Sequence, residues 1–164
     1  MKNKTILTSL FIALSAVVAV NFASAEVGHD HGAHADHGVA HYKTMKAPNG
    51  GRIIDSVEPH LEFYVTPDRF VQITFLDAHG QAIPFTEDEI SAIGGDRSSP
   101  ITVEFERKGD VLVSEEPLPE MKNMPIVLII KDTSEATTVR EKFTLNMSGC
   151  PTCSHKEYAC VCAH

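Results

Sequence analysis

Two features that organise many proteins are missing from most of this 164-residue chain: long apolar runs and clusters of positive charge. From residue 26 onward the longest apolar run is Ile126 to Ile130, far short of the roughly 20 residues a membrane-spanning helix needs. The 14 Lys and Arg are scattered and outnumbered by 22 Asp and Glu, giving a net charge of −8. That balance lacks the electrostatic footprint of a nucleic-acid-binding surface. No Ser/His/Asp grouping and no glycine-rich phosphate loop is present, so the sequence reads as that of a binding protein and not an enzyme. There is no internal repeat, and the length leaves room for one modest domain with tails.

The exception to the missing apolar runs lies at the start. Lys2 and Lys4 precede the apolar stretch Ile6 to Val20, and Ala23-Ser24-Ala25 ends it with small residues. This is the pattern of a secretory signal peptide, residues 1–25, with cleavage expected before Glu26. Removing 25 of the 164 residues leaves 139, and losing two lysines and no acid takes the charge from −8 to −10. No Cys follows the expected cleavage site, so no lipoprotein anchor is expected. The expectation is an exported, periplasmic protein.

Beyond the signal, composition changes twice. Residues 26–47 carry five histidines (His29, His31, His34, His37, His41) with Asp30 and Asp36, and almost no large apolar side chains. Such a segment cannot bury enough surface to offset its conformational entropy, and is expected to be disordered without a ligand. Residues 48–147 hold nearly all the large apolar residues, and residues 148–164 hold every cysteine.

The central zone reads as all-β. Leu61, Phe63 and Val65 alternate with Glu62 and Tyr64, and Val71, Ile73 and Phe75 with Gln72 and Thr74. The same period of two runs through Ile101, Val103 and Phe105, and again through Phe143, Leu145 and Met147. The continuous apolar run from Pro125 to Lys131 suits a central strand. Turn signals separate these runs, among them Asn49-Gly50-Gly51, Asp77-Ala78-His79-Gly80 and Lys108-Gly109-Asp110. About 100 residues so patterned predict an immunoglobulin-like β-sandwich of about seven strands. Thr86-Glu87-Asp88-Glu89 before Ile90 also fits a capping box, with Gly94 ending a short helix; helix and strand both stay open there.

Both end segments carry metal-ligand chemistry. Neutral imidazole is the commonest side-chain ligand for late divalent metals. A flexible chain with His every two to four residues can wrap Cu(II), Zn(II) or Ni(II) without preformed geometry. At the other end the spacing is Cys150-x2-Cys153-x6-Cys160-x-Cys162, with His155 inside and His164 at the terminus. Four thiolates this close suit tetrahedral Zn²⁺, or Cu⁺ through soft sulfur, with His155 and His164 as extra candidates. The single residue between Cys160 and Cys162 departs from the usual structural zinc spacing and leans toward Cu⁺. An oxidising compartment favours the rival reading of two disulfides, for which three connectivities exist. A third reading is thiol–disulfide exchange by Cys150-Pro-Thr-Cys153. Blue-copper chemistry is disfavoured because no Met follows Cys150. Within the domain, His60 is a further candidate ligand because the glycine turn and Glu62 flank its hairpin, whereas His79 reads as a polar turn residue. Met121 and Met124, in a Pro-rich loop, are minor Cu⁺ candidates, and Met147 reads as core.

The motifs Ala47-Pro48-Asn49-Gly50-Gly51-Arg52, Pro59-His60-Leu61-Glu62-Phe63 and Phe75-Leu76-Asp77-Ala78-His79-Gly80 together resemble a group of small bacterial periplasmic domains. These accompany heavy-metal efflux systems, and some precede efflux-pump adaptor proteins. The resemblance covers roughly residues 47–105. In many of those domains a His precedes the two glycines, where this chain has Asn49. The resemblance implies a β-sandwich acting near copper, zinc or related cations, without catalysis. The expected function is metal binding or handling, with an efflux pump or metallochaperone as partner. The alternatives are an oxidoreductase, and an adhesion-type sandwich with a disulfide-knotted tail.

Overall fold

The computed structural model describes residues 45–85, 88–132 and 136–162, and the chain there is all-β. Ten strands appear among the described residues, against about seven expected. In chain order they are β1 (Arg52–Ile54), β2 (His60–Val65), β3 (Val71–Leu76), β4 (Ala82–Ile83), β5 (Glu89–Asp96), β6 (Ser99–Val103), β7 (Phe105–Lys108), β8 (Val111–Ser114), β9 (Met124–Asp132) and β10 (Thr137–Leu145). A 3-10 turn, Glu157–Ala159, follows them. Among the described residues no helix is long and apolar enough to cross a membrane.

Two antiparallel sheets result. One runs β1-β2-β3-β8-β7 with β4 also on β3, and the other runs β10-β9-β5-β6. Their inward side chains form one core, with Phe63, Ile73 and Phe75 from the first sheet and Ile126, Leu128 and Ile130 from the second. The additional strands are short or mixed in composition, which is why alternation did not reveal them. The apolar run 101–105 breaks at Glu104, where the chain leaves β6 in one sheet and enters β7 in the other.

The helix considered for residues 86–93 does not form over its described part, because Glu89–Asp96 is a strand. Ile90, Ala92 and Gly94 are its buried positions while Ile93 is 42% exposed, a period of two that only a strand supplies. Gly94, placed as a helix stop, instead pairs with both Ile101 and Ile126 in the middle of the sheet. A side chain there would meet Ile126 and Met124.

One outward position on β2 is not outward. Glu62 alternates with core residues yet is 0% exposed, because the turn at Ala47–Gly51 folds over it. Gly51 packs against the same strand so closely that a Cβ would stand 2.4 Å from the Phe63 carbonyl oxygen. Only glycine allows that approach.

After β10 the chain does not trail away. Gly149 bridges Lys156, and the following turn buries Tyr158 and Ala159 in the common core. The Tyr158 ring meets Phe63 edge-on at 6.3 Å, and its hydroxyl accepts the Val65 N–H at 3.1 Å. Arg52 lies over the Phe143 ring and donates from Nη1 to the Tyr158 carbonyl. The segment is thereby anchored to β1, β2 and β10.

Candidate metal centre

The cysteines are brought together by a short hairpin and the turn behind it. The Cys150 N–H donates to the His155 carbonyl at 2.9 Å, and the Glu157 N–H donates to the Ser148 carbonyl at 2.9 Å. These bonds double the chain back at Cys150-Pro-Thr-Cys153. The 3-10 turn then carries Cys160 and Cys162 onto the first pair. All four are thiols not joined in disulfides, and their sulfurs lie within 4.8 Å of one another. No other group of three or more His, Cys, Asp or Glu converges in this way among the described residues.

The spacing has a chemical meaning. Zinc–sulfur bonds of about 2.3 Å place the corners of a regular tetrahedron about 3.8 Å apart. Here Cys160 Sγ lies 3.4 Å from Cys150 Sγ and 3.6 Å from Cys153 Sγ. Those two separations are close to that edge, and the remaining pairs lie within 4.8 Å. Backbone donors complete it: Thr152 N–H points at Cys150 Sγ (3.4 Å) and Cys162 N–H at Cys160 Sγ (3.3 Å). Such donors favour the thiolate, the form that binds metal.

Electrostatics separates Cys150, Cys160 and Cys162. Burial pushes the Cys150 thiol up, but the N–H groups of Thr152 and Cys153 and the thiols of Cys160 and Cys153 outweigh it and bring Cys150 down to about 6. For Cys160 the Cys162 N–H acts downward, while burial and its bonds with the Cys150, Cys162 and Cys153 thiols push it up to about 12. Cys162 is lowered by its bond to Cys160, yet Cys153, burial and the neighbouring sulfur charges leave it raised. One thiolate forms readily and hinders the next. A cation among them reverses that hindrance.

The histidines are placed differently. His155 gives its carbonyl to Cys150, but its ring lies beside Gly50 and is not among the converging ligands. His60 sits on the sheet with Nδ1 2.8 Å from the Val57 carbonyl and Nε2 3.4 Å from Glu58. Both ring nitrogens have local partners, and His60 joins no ligand group. His79 is exposed in its turn, where its N–H and that of Gln81 hold the Asp77 carboxyl below its usual value. His29, His31, His34, His37, His41 and His164 lie outside the described residues.

Two residues that support the site escaped the sequence reading. The Glu62 carboxylate accepts N–H bonds from Asn49 (2.9 Å), Gly51 (2.8 Å) and the Asn49 side-chain amide (2.8 Å). It braces the turn against which His155 packs, and Asn49 serves that bracing as a donor. The pairing of a buried acid with an Asn-Gly-Gly turn was the available signal. Tyr158 is the other. A lone aromatic beside alanine in a ligand-rich segment was its only trace.

Beside the sulfurs opens a cleft of about 450 Å³ whose lining includes Cys160, Cys162, His155, Met45, Asp55 and Glu141. Cys150 is buried and does not line it. Comparison with protein-family models, curated proteins and solved structures finds no match to the chain.

Proposed function

We propose that this protein is an exported periplasmic metal-handling protein in which Cys150, Cys153, Cys160 and Cys162 bind one transition-metal ion. The observation that carries the reading is the convergence of four cysteine sulfurs within 4.8 Å. Four converging sulfurs suit Zn(II), while Cu(I), satisfied by two or three sulfurs, is the competing occupant. The two sheets around one core are read as an immunoglobulin-like sandwich that presents this centre. The resemblance to domains of heavy-metal efflux systems supports a pump or metallochaperone as partner. The His-rich segment 26–47 supplies a second, less selective ligand set.

Thiol–disulfide exchange has one observation in its favour, the Cys150 thiol lowered to about 6. Its burial keeps an incoming disulfide from that sulfur, so metal binding is the better reading. The test is to purify the untagged chain from the exported fraction and to measure metal and free thiols on one sample. The expected result is one metal per chain, with four thiols that react only after chelation in denaturant. No bound metal together with no free thiols would overturn the reading. An amino terminus at Glu26 would support export through the signal sequence.

A further inference from the structure

We infer that the cleft beside the cysteine centre is a ligand site for a small thiol that also carries ammonium and carboxylate groups, and that this thiol takes the place of Cys162 on the ion. The inference rests on the metal reading of the four cysteines and adds the corner at which the ion is exchanged. The four corners are not equivalent. Cys160 and Cys162 line the cleft, whereas Cys150 and Cys153 do not. Cys150 is buried, and its sulfur receives the Thr152 N–H at 3.4 Å. Cys160 is held by its own N–H, which donates to the Glu157 carbonyl, and its sulfur contacts those of Cys150 and Cys153. Cys162 lies beyond the 3-10 turn, after Val161, which is 51% exposed. Of the two corners that face the cleft, it is the one that can swing out while the other three keep the ion.

The lining describes the ligand. A volume of about 450 Å³ falls within the range of about 300–1,000 Å³ usual for small-molecule sites. Lys46 and Arg52 bring positive charge to the cleft, and Asp55 and Glu141 bring negative charge. A ligand bearing both signs therefore finds an opposite for each. Strand β1, which contributes Arg52, stands at the edge of its sheet, and a strand edge offers backbone N–H and C=O groups to an amide. A thiol of the short-peptide kind meets the ion through soft sulfur and the walls through its charges and amides.

The step is ligand exchange without oxidation. A bond from the ion to the incoming sulfur forms as the bond to the Cys162 sulfur breaks. The proton of the incoming thiol passes to the Cys162 sulfur. The ion ends with four sulfur ligands, three from the chain and one from a molecule that can depart with it.

Cobalt(II) bound to the reduced chain reports its ligands through the sulfur-to-cobalt charge-transfer band. Reduced glutathione is the probe, and 2-mercaptoethanol is the uncharged comparison. In Cys162→Ser the band is expected to weaken and to return with glutathione, at a half-saturating concentration at least tenfold below that of 2-mercaptoethanol. Adding Lys46→Gln is expected to raise the half-saturating glutathione at least threefold more than the half-saturating 2-mercaptoethanol. In Cys153→Ser the lost corner lies away from the cleft, and glutathione is expected to restore nothing. No return in Cys162→Ser, equal return in both cysteine variants, or equal half-saturation by the two thiols overturns the inference. The wild-type chain tests it without a substitution: transfer of its cobalt to EDTA is expected to accelerate and saturate with glutathione, and a rate indifferent to glutathione overturns it. A wild-type chain that binds cobalt without developing the band overturns the four-cysteine reading itself, a result distinct from these.

Discussion

Replacing Tyr158→Phe tests whether the cysteine-bearing segment is part of the core or merely rests on it. The ring is buried, so phenylalanine keeps its contact with Phe63 and removes one oxygen. That oxygen accepts the Val65 N–H at 3.1 Å in a buried setting. Val65 is itself 3% exposed, so water cannot take over the bond. An orphaned buried donor costs about 1–3 kcal/mol, which for a domain of this size lowers Tm by roughly 4–20 °C. A second effect separates hydroxyl from ring. Burial pushes the Tyr158 hydroxyl from its ordinary 10 up to about 12, although the Val65 N–H acts the other way. The folded chain holds this proton more tightly than the unfolded chain. The corresponding stability is complete below pH 10 and declines as pH rises, amounting to roughly 2–3 kcal/mol by pH 12. Urea unfolding at pH 7 and at half-unit steps from pH 9.5 to 12 measures both effects. The variant is expected to be weaker at pH 7 and to lose stability less steeply above pH 10. Equal stability at pH 7 with parallel alkaline slopes would refute the reasoning.

Glu62→Ala leaves three donors without their acceptor and is expected to cost about 3–5 kcal/mol in urea unfolding, whereas Glu62→Gln, beside an Asn49 amide free to rotate, costs about 1–2 kcal/mol. Gly51→Ala drives a methyl against the Phe63 carbonyl and is expected to cost about 2–4 kcal/mol. Gly109→Ala, in open space at φ 66°, costs about 1–2 kcal/mol from backbone conformation alone; thermal denaturation of the pair separates crowding from strain. His60→Ala loses the bond to Val57 and about 1 kcal/mol, while the metal content of the purified protein stays that of the wild type.

The strands that were legible in the sequence are those whose inward positions carry large apolar side chains. Leu61, Phe63 and Val65, then Val71, Ile73 and Phe75, announce their own periodicity. Strand β5 did not, because its inward positions pass from Ile90 to Ala92 and Gly94, and small residues give no alternation. The capping pattern ahead of it was a local preference, and pairing with β6 and β9 overrides such preferences. Glu62 was misread for a related reason. Period two assigns a residue to a face of the sheet, and it cannot say that the Ala47–Gly51 turn covers the opposite face. The convergence of the four cysteines was legible from spacing, but their thiol state was not, since spacing fits thiolate ligands and disulfides alike. His60 looked eligible because ligand type is visible in sequence, while the Val57 carbonyl that occupies its ring nitrogen is not.

The energetics of residues 148–162 explain why a cation suits this place. Ordering 15 residues costs about 20 kcal/mol at the middle of the usual range per residue. Against that stand five backbone hydrogen bonds made from Cys150, Glu157, Tyr158, Ala159 and Cys160, and three more, to the Tyr158 hydroxyl, to the Tyr158 carbonyl and from the Ser148 N–H, at about 1 kcal/mol each. Burial of Cys150, Tyr158 and Ala159 adds about 4–5 kcal/mol. A deficit of about 7 kcal/mol remains. Two disulfides would contribute a comparable amount, about 4–8 kcal/mol at typical values, but in this structure the cysteines are thiols. A zinc ion bound by four thiolates contributes about 10–16 kcal/mol at neutral pH, which more than covers the deficit without a further core. The segment that holds Tyr158 against Phe63 is therefore too poor in apolar contacts to fold on them alone. Its cysteines flank Tyr158 in sequence, two before and two after, so an ion joining them fixes both ends of the stretch that reaches into the core.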